Sequence, residues 1–321
     1  MCSFLAKRDA SFCMMQQKSA TLTSHDTQNE FIQIASEMVM KEIIKEIEAN
    51  GFFTLVVDEA RSYKSEQMTV CVRYTHNMEI QEGFLGFVDC SEGTDAESLH
   101  DHIKKFMDEH GISKLPVVGQ CYDGAAVMAG KVNGVQQRMR QDHPSAIYIH
   151  CMVHKLNLVL VEACKVNRVA SGFFCVMESL YTFFSQPGTH HAFLQMQKQL
   201  GVKAELSALS DTRWVCRWHN MSAVKNSFKS IMATLAEFSV PPYCRFTEAS
   251  GLLHSVGKLE FCVCLIVFSH ALRIIHVASQ ALQKTDTTLA QASSVLQASI
   301  QRLQKMRKNW EEMWREILTF L

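Results

Sequence analysis

Two aspartates, Asp58 and Asp123, stand where a carboxylate can do chemistry. Asp58 ends the apolar run Phe52-Phe53-Thr54-Leu55-Val56-Val57, and Asp123 follows Val117-Val118-Gly119-Gln120-Cys121-Tyr122. In each case a short β-rich run gives way to polar or small residues, so a buried strand can deliver a carboxylate to a sheet edge. Two carboxylates held close together can share a divalent metal ion. That is the geometry of two-metal phosphoryl transfer, in which one metal activates an attacking oxygen and the other steadies the leaving oxygen. Strand-terminal Asp is also a common turn former, so the pair takes its meaning from the elements that hold it.

Those elements can be read along the chain. Residues 27–50 place Phe31, Ile32, Ile34, Met38, Val39, Ile43, Ile44 and Ile47 at helical spacing and predict an amphipathic helix ending at Asn50-Gly51. Three strand-like runs, 52–58, 67–75 and 80–89, predict an antiparallel meander. Residues 94–110 read as a helix capped at Thr94-Asp95, with Leu99, His102, Ile103 and Phe106 on one stripe. A strand over 116–122, a helix over 130–142 and a strand over 146–150 complete the order β-β-β-α-β-α-β. That order is ribonuclease-H-like: an α/β (α+β) fold with a mixed five-stranded sheet, in which the first and fourth strands lie side by side and bring Asp58 to Asp123.

From Cys151 the pattern turns helical, through 152–200 and 219–238, with Pro241-Pro242 breaking the run. A buried helix near 258–277 and a long helix over 287–320 follow. In the last, Leu289, Leu296, Leu303, Trp310 and Ile317 repeat every seven residues, a pattern open to bundle packing or to a coiled coil. The domains expected are a poorly ordered segment 1–26, a sheet domain 27–155 with its leading helix, and a large all-α insertion domain 156–321.

Composition narrows the function classes without naming one. The chain has 321 residues, 47% hydrophobic and 20% charged, an ordinary globular mixture. Its 32 basic and 32 acidic residues cancel, so contact with a polyanion has to come from a local patch. Twelve cysteines spread through apolar stretches read as reduced thiols rather than a disulfide framework. Phe261–Val277, the most apolar stretch, is interrupted by His270, Arg273 and His276 and reads as a buried helix rather than a membrane span. No basic cluster long enough for a nuclear import signal is present.

Five motifs in order carry a resemblance. Val56-Val57-Asp58-Glu59, Arg73-Tyr74, Tyr122-Asp123-Gly124-Ala125 with Met128 and Gly130, His150-Cys151-Met152-Val153-His154-Lys155-Leu156-Asn157-Leu158, and Asp211-Thr212-Arg213-Trp214 resemble hAT-superfamily transposases. The chain is similar above all to the hAT-like domain of zinc finger MYM-type proteins, over about residues 28–321. The resemblance implies that Asp58 and Asp123 are the first two members of an Asp-Asp-Glu triad binding Mg²⁺ or Mn²⁺, that Arg213 and Trp214 hold DNA and stack on an extruded base, and that the protein is nuclear. For Trp214 a core position stays equally open. Cys151 and His154 match a Cys-x-x-His element after the fifth strand; zinc needs four ligands and no second pair stands at a recognisable spacing, so the element reads as packing near the site.

The family's third carboxylate is not identifiable. Glu311, Glu312 and Glu316 lie on a terminal amphipathic helix of unlike context, and Glu162 and Glu178 precede the Arg-Trp element. The expectation is a catalytically incomplete chain, ending within or soon after the insertion and holding no metal tightly. Three classes stay open: an enzyme, a DNA-binding module with Arg217, Lys225 and Lys229 beside Arg213, and a scaffold joining a protein partner or a second copy through the C-terminal helices.

Overall fold

A computed structural model describes residues 24–62, 65–208 and 215–321. Their contacts divide the chain into two compact units, with the boundary between Ile149 and His150. The poorly ordered segment expected over 1–26 lies, up to residue 23, outside the described residues.

The sheet unit opens on α1 (His25–Asn50), capped by Ser24 and closed by Gly51 in the left-handed region at φ 83°. β1 (Phe53–Ser62), β2 (Ser65–His76) and β3 (Glu79–Asp89) form the expected meander. After α2 (Ala96–Glu109) comes β4 (Val117–Tyr122), then α3 (Ala126–Ala129), α4 (Val135–Asp142) and β5 (Ile147–His150). The five strands lie in the order β3-β2-β1-β4-β5. β1 runs antiparallel to β2 and parallel to β4. This is the mixed α/β sheet expected, with the first and fourth strands adjacent.

Alternation along the strands separates two faces. Leu55, Val57, Met68, Val70, Val72 and Tyr122 are buried with Leu99, Ile103 and Phe106 of α2 in one core. Thr54, Val56 and Asp58, whose side chains alternate with these, belong to the opposite face. β1 and β2 outrun the apolar run, because their ladder continues from Glu59↔Met68 to Ser62↔Ser65; backbone pairing does not require apolar side chains. Asp58 is therefore inside β1, not at its end.

Three other expectations are corrected. α1 is 26 residues, about 39 Å at 1.5 Å per residue, and only its C-terminal part, with Met40, Ile43, Ile44 and Ile47, packs on the sheet core. Phe31, Ile32, Ile34, Met38 and Val39 are exposed. On α2 the buried stripe takes His100 rather than His102, and His100 Nε2 lies 3.2 Å from Asp142 on α4. The helix expected over 130–142 starts only at Val135, as α4, with the short α3 ahead of residue 130. Between them the backbones of Gly130 and Gly134 touch, and a Cβ on Gly134 would lie 2.5 Å from the Gly130 nitrogen.

The helical unit comprises α5 (Met152–Val166), α6 (Arg168–Phe184), α7 (Pro187–Gln199), α8 (Val215–Asn226), α9 (Phe228–Phe238) and α10 (Phe246–Val256). It continues with α11 (Leu259–Leu282), α12 (Leu289–Lys308) and α13 (Trp310–Phe320). Its core is rich in phenylalanine, with Phe173, Phe183, Phe184, Phe193 and Phe261 buried. α11 is long and apolar enough to cross a membrane by length and composition, and half of its most apolar window is buried within the unit. The single helix expected over 287–320 breaks at Asn309 (φ −93°, ψ 43°). The break takes the heptad off one face: Leu289 is 83% exposed, whereas Ile317 is fully buried.

Candidate functional site

β1 and β4 place the two aspartates. The parallel register pairs Leu55 with Gln120 and Val56 with Cys121; Asp58 stands two residues past that last pair on β1, and Asp123 stands two residues past it just beyond the end of β4. The charges of both aspartates act on Glu59, so the three carboxyl groups lie in one neighbourhood. Asp58 is exposed and Asp123 half-buried. The Asp123 carboxylate accepts a hydrogen bond from the Ala125 amide at 3.0 Å, and its carbonyl accepts one from the Tyr148 hydroxyl at 3.2 Å. The turn after β4 is thus held by Asp123 itself.

The strands meet closely because Gly119 has no side chain. A Cβ there would lie 2.8 Å from Thr54 Oγ1. On the core face Gln120, fully buried, donates through Nε2 to the carbonyls of Gln136 and Ala146 at 3.0 and 3.1 Å. Gln136 in turn donates to the Gly130 carbonyl at 3.0 Å. This chain of glutamines ties β4 to α4 and to the entry of β5. It positions the turn carrying Asp123, and sequence reasoning missed it; a lone Gln inside an apolar strand was the one available signal, since a buried amide must find partners.

The field around the pair is acidic. Partial burial first, then the charges of Asp123, Glu66 and Asp58, push the Glu59 carboxyl above its ordinary range. Burial, Glu82 and Asp58 likewise push up the Cys71 thiol. Yet among the described residues no group of three or more His, Cys, Asp or Glu side chains converges so as to hold a metal ion. Cations do occur nearby in this unit: a cavity of about 470 Å³ is lined by Lys131, Gln136, Gln137, Arg140, Ile147 and Tyr148.

The remaining site residues belong to the helical unit. Cys151 is the N-cap residue of α5 and gives it no side-chain cap; the ring of His154, in the first turn, lies 5.7 Å from that of His150. Arg213 and Trp214 lie outside the described residues. Of the three cations expected beside them, only Lys229 fits an open basic surface. Arg217 is buried, its guanidinium 4.9 Å over the Phe174 ring, and Lys225 is paired to Glu316 at 2.7 Å. Long side chains on a helix can turn inward along their methylenes, which spacing alone does not reveal.

Comparison with known families agrees with the α/β class of the sheet unit. Residues 2–134 match the model of a family described as ZMYM1/FAM200, RNase-like domain. Over that span, which contains both aspartates, the chain is similar to the RNase-like domain of that family.

Proposed function

We propose that the chain derives from a hAT-type transposase, that the ancestral reaction was metal-dependent cleavage and transfer of DNA strands, and that the protein now binds nucleic acid in the nucleus without completing that reaction. One observation supports the reading: Asp58 on β1 and Asp123 just past the parallel neighbour β4 belong to one acidic neighbourhood, both charges acting on Glu59. Two carboxylates can hold a Mg²⁺ or Mn²⁺ only loosely, most of its shell remaining water. The Lys131 and Arg140 cavity supports contact with phosphates, which guanidinium and ammonium groups recognise.

The test uses oligonucleotides with and without an unpaired base. The expected result is no cleavage with Mg²⁺ or Mn²⁺ and salt-sensitive binding. Trp214→Ala should weaken binding to the unpaired substrate by roughly 1–3 kcal/mol, the value of one aromatic stack, and leave intact duplex less affected. Cleavage abolished by Asp58→Asn would overturn the reading. A second reading, a scaffold joining a protein partner or a second copy through the C-terminal helices, is favoured by the exposure of Leu289 and Ile300 on α12. Association that persists at high salt would select it.

A further inference from the structure

The net charge of zero conceals a division. Residues 1–149 contain 14 Lys/Arg and 21 Asp/Glu, whereas residues 150–321 contain 18 and 11. Within the helical unit the excess is concentrated: α8, α11 and α12 together carry seven Lys/Arg and a single acid, Glu260 in the first turn of α11.

Two adjoining cavities open between these helices. The smaller, about 150 Å³, is lined by Trp218 and Lys225 of α8 and by His270 and Arg273 of α11. The larger, about 330 Å³, shares His270 and Arg273 and adds Arg302 and Met306 of α12. Arg273 and Arg302 are exposed, and among the described residues neither has a hydrogen-bond or ion-pair partner. At the other end an anion is already seated. Glu316 of α13 accepts from Lys225 Nζ at 2.7 Å and from His270 Nε2 at 2.8 Å. Met313 and Ile317 hold α13 in place by packing on Ile266. The groove thus binds one carboxylate with two donors and presents two unpartnered guanidinium forks beside it.

We propose that the groove between α8, α11 and α12 seats the phosphodiester backbone of a nucleic-acid strand, with Arg273 and Arg302 on successive phosphates and Glu316 occupying the place of a further phosphate between Lys225 and His270. The inference rests on the nucleic-acid reading above and gives that binding an address on α8, α11 and α12. Guanidinium forks match phosphate oxygens in pairs, and contacts of this kind position a strand without reading its sequence. Glu316 then acts as an internal competitor: removing its charge frees Lys225 and His270 for the incoming strand.

Anisotropy of a labelled single-stranded oligonucleotide, titrated with the full chain over a range of salt, tests this. The double variant Arg273→Gln/Arg302→Gln should bind at least tenfold more weakly. The slope of log affinity against log salt should fall by about 1.4, since each single-strand phosphate contact contributes about 0.7. Glu316→Gln should bind severalfold more tightly. Lys198→Gln/Lys203→Gln removes the same charge from α7 and the segment after it, and should leave the slope unchanged; thermal melts confirm that each variant folds. Equal slopes for the arginine and lysine variants would overturn the groove while leaving nucleic-acid binding intact. Binding of inorganic polyphosphate through the two arginines without any binding of oligonucleotide would overturn the nucleic-acid assignment here and above. Binding of neither would remove both.

Discussion

Two glutamates, one in each unit, begin from the same ordinary carboxyl value and move in opposite directions. Glu59, in the sheet unit, is pushed up by partial burial and by Asp123, Glu66 and Asp58. Glu316, in the helical unit, is also pushed up by partial burial, but the hydrogen bonds and positive charge of Lys225 and His270 outweigh it and hold the carboxyl below its usual range. The sheet unit gathers like charge on itself, and the helical unit gathers charge of the opposite sign. On the proposed reading, the phosphate contacts of the helical unit and the acids around Glu59 belong to different units.

The largest effect that would separate the units is steric. Gly134→Ala sets a methyl against the Gly130 backbone, which cannot yield as a side chain can, and should cost the sheet unit about 3 kcal/mol. All four tryptophans, at 214, 218, 310 and 314, fall after residue 149 in the sequence, and the described ones, Trp218, Trp310 and Trp314, belong to the helical unit, so tryptophan fluorescence is expected to follow that unit. In urea the far-ultraviolet dichroism should move to lower midpoint while the fluorescence transition stays in place. A joint shift of both signals would mean that the units unfold as one.

A smaller loss is expected from Gln120→Leu. It removes the donor from two buried carbonyls and should destabilise the sheet unit by about 2 kcal/mol, again without a change in tryptophan fluorescence. Retention of the full midpoint would remove the glutamine chain from the account of how the Asp123 turn is held.

The two glutamates give pH profiles of opposite sign. The lowered value of Glu316 means that its stabilisation is present above the unfolded value of about 4.3 and is lost as pH falls through the folded value. Glu316→Gln should therefore lower the fluorescence midpoint at neutral pH by up to about 1 kcal/mol, the ceiling for an exposed pair, and flatten its fall below pH 4 or so. The raised value of Glu59 acts the other way: its charge costs stability as pH rises through the folded value, so Glu59→Gln should raise the sheet-unit midpoint at neutral pH and leave it unchanged in acid. Matching signs for the two variants would break the comparison with which the units were contrasted. Smallest of all, millimolar Mg²⁺ should raise the sheet-unit melting temperature by no more than about 1 °C, because two carboxylates give weak occupancy, and Asp58→Asn should abolish even that.

Much of the sheet was legible because alternation in β2, with Met68, Val70 and Val72 facing the core, is a direct consequence of pleating. The adjacency of β1 and β4 followed from strand order. Less was legible where one residue's neighbours decide its role. The heptad passes through Asn309 with no Pro or Gly to mark the break, so a repeat that reads as continuous spans two helices. Arg217 and Lys225 carry the residue type of a basic surface, yet a ring takes one and a carboxylate the other. The apolar stripe of α1 marks an amphipathic helix, but a stripe says nothing about how far the sheet beneath it reaches. The charge division became visible only once the boundary at 149 and 150 was known.

The parallel pairing of β1 with β4 also has a temporal meaning. β1, β2 and β3 are joined by short turns and can zip up locally, whereas Val56 meets Cys121 only after a loop of 65 residues has closed. Closing long loops is what slows a chain's search for its native contacts. Of the charges that lift Glu59, Glu66 and Asp58 come with the hairpin, whereas Asp123 arrives only with that long-range closure. A nascent chain whose ribosome has not yet released β4 would hold Asp58 on a finished meander with the β4 side of β1 still open.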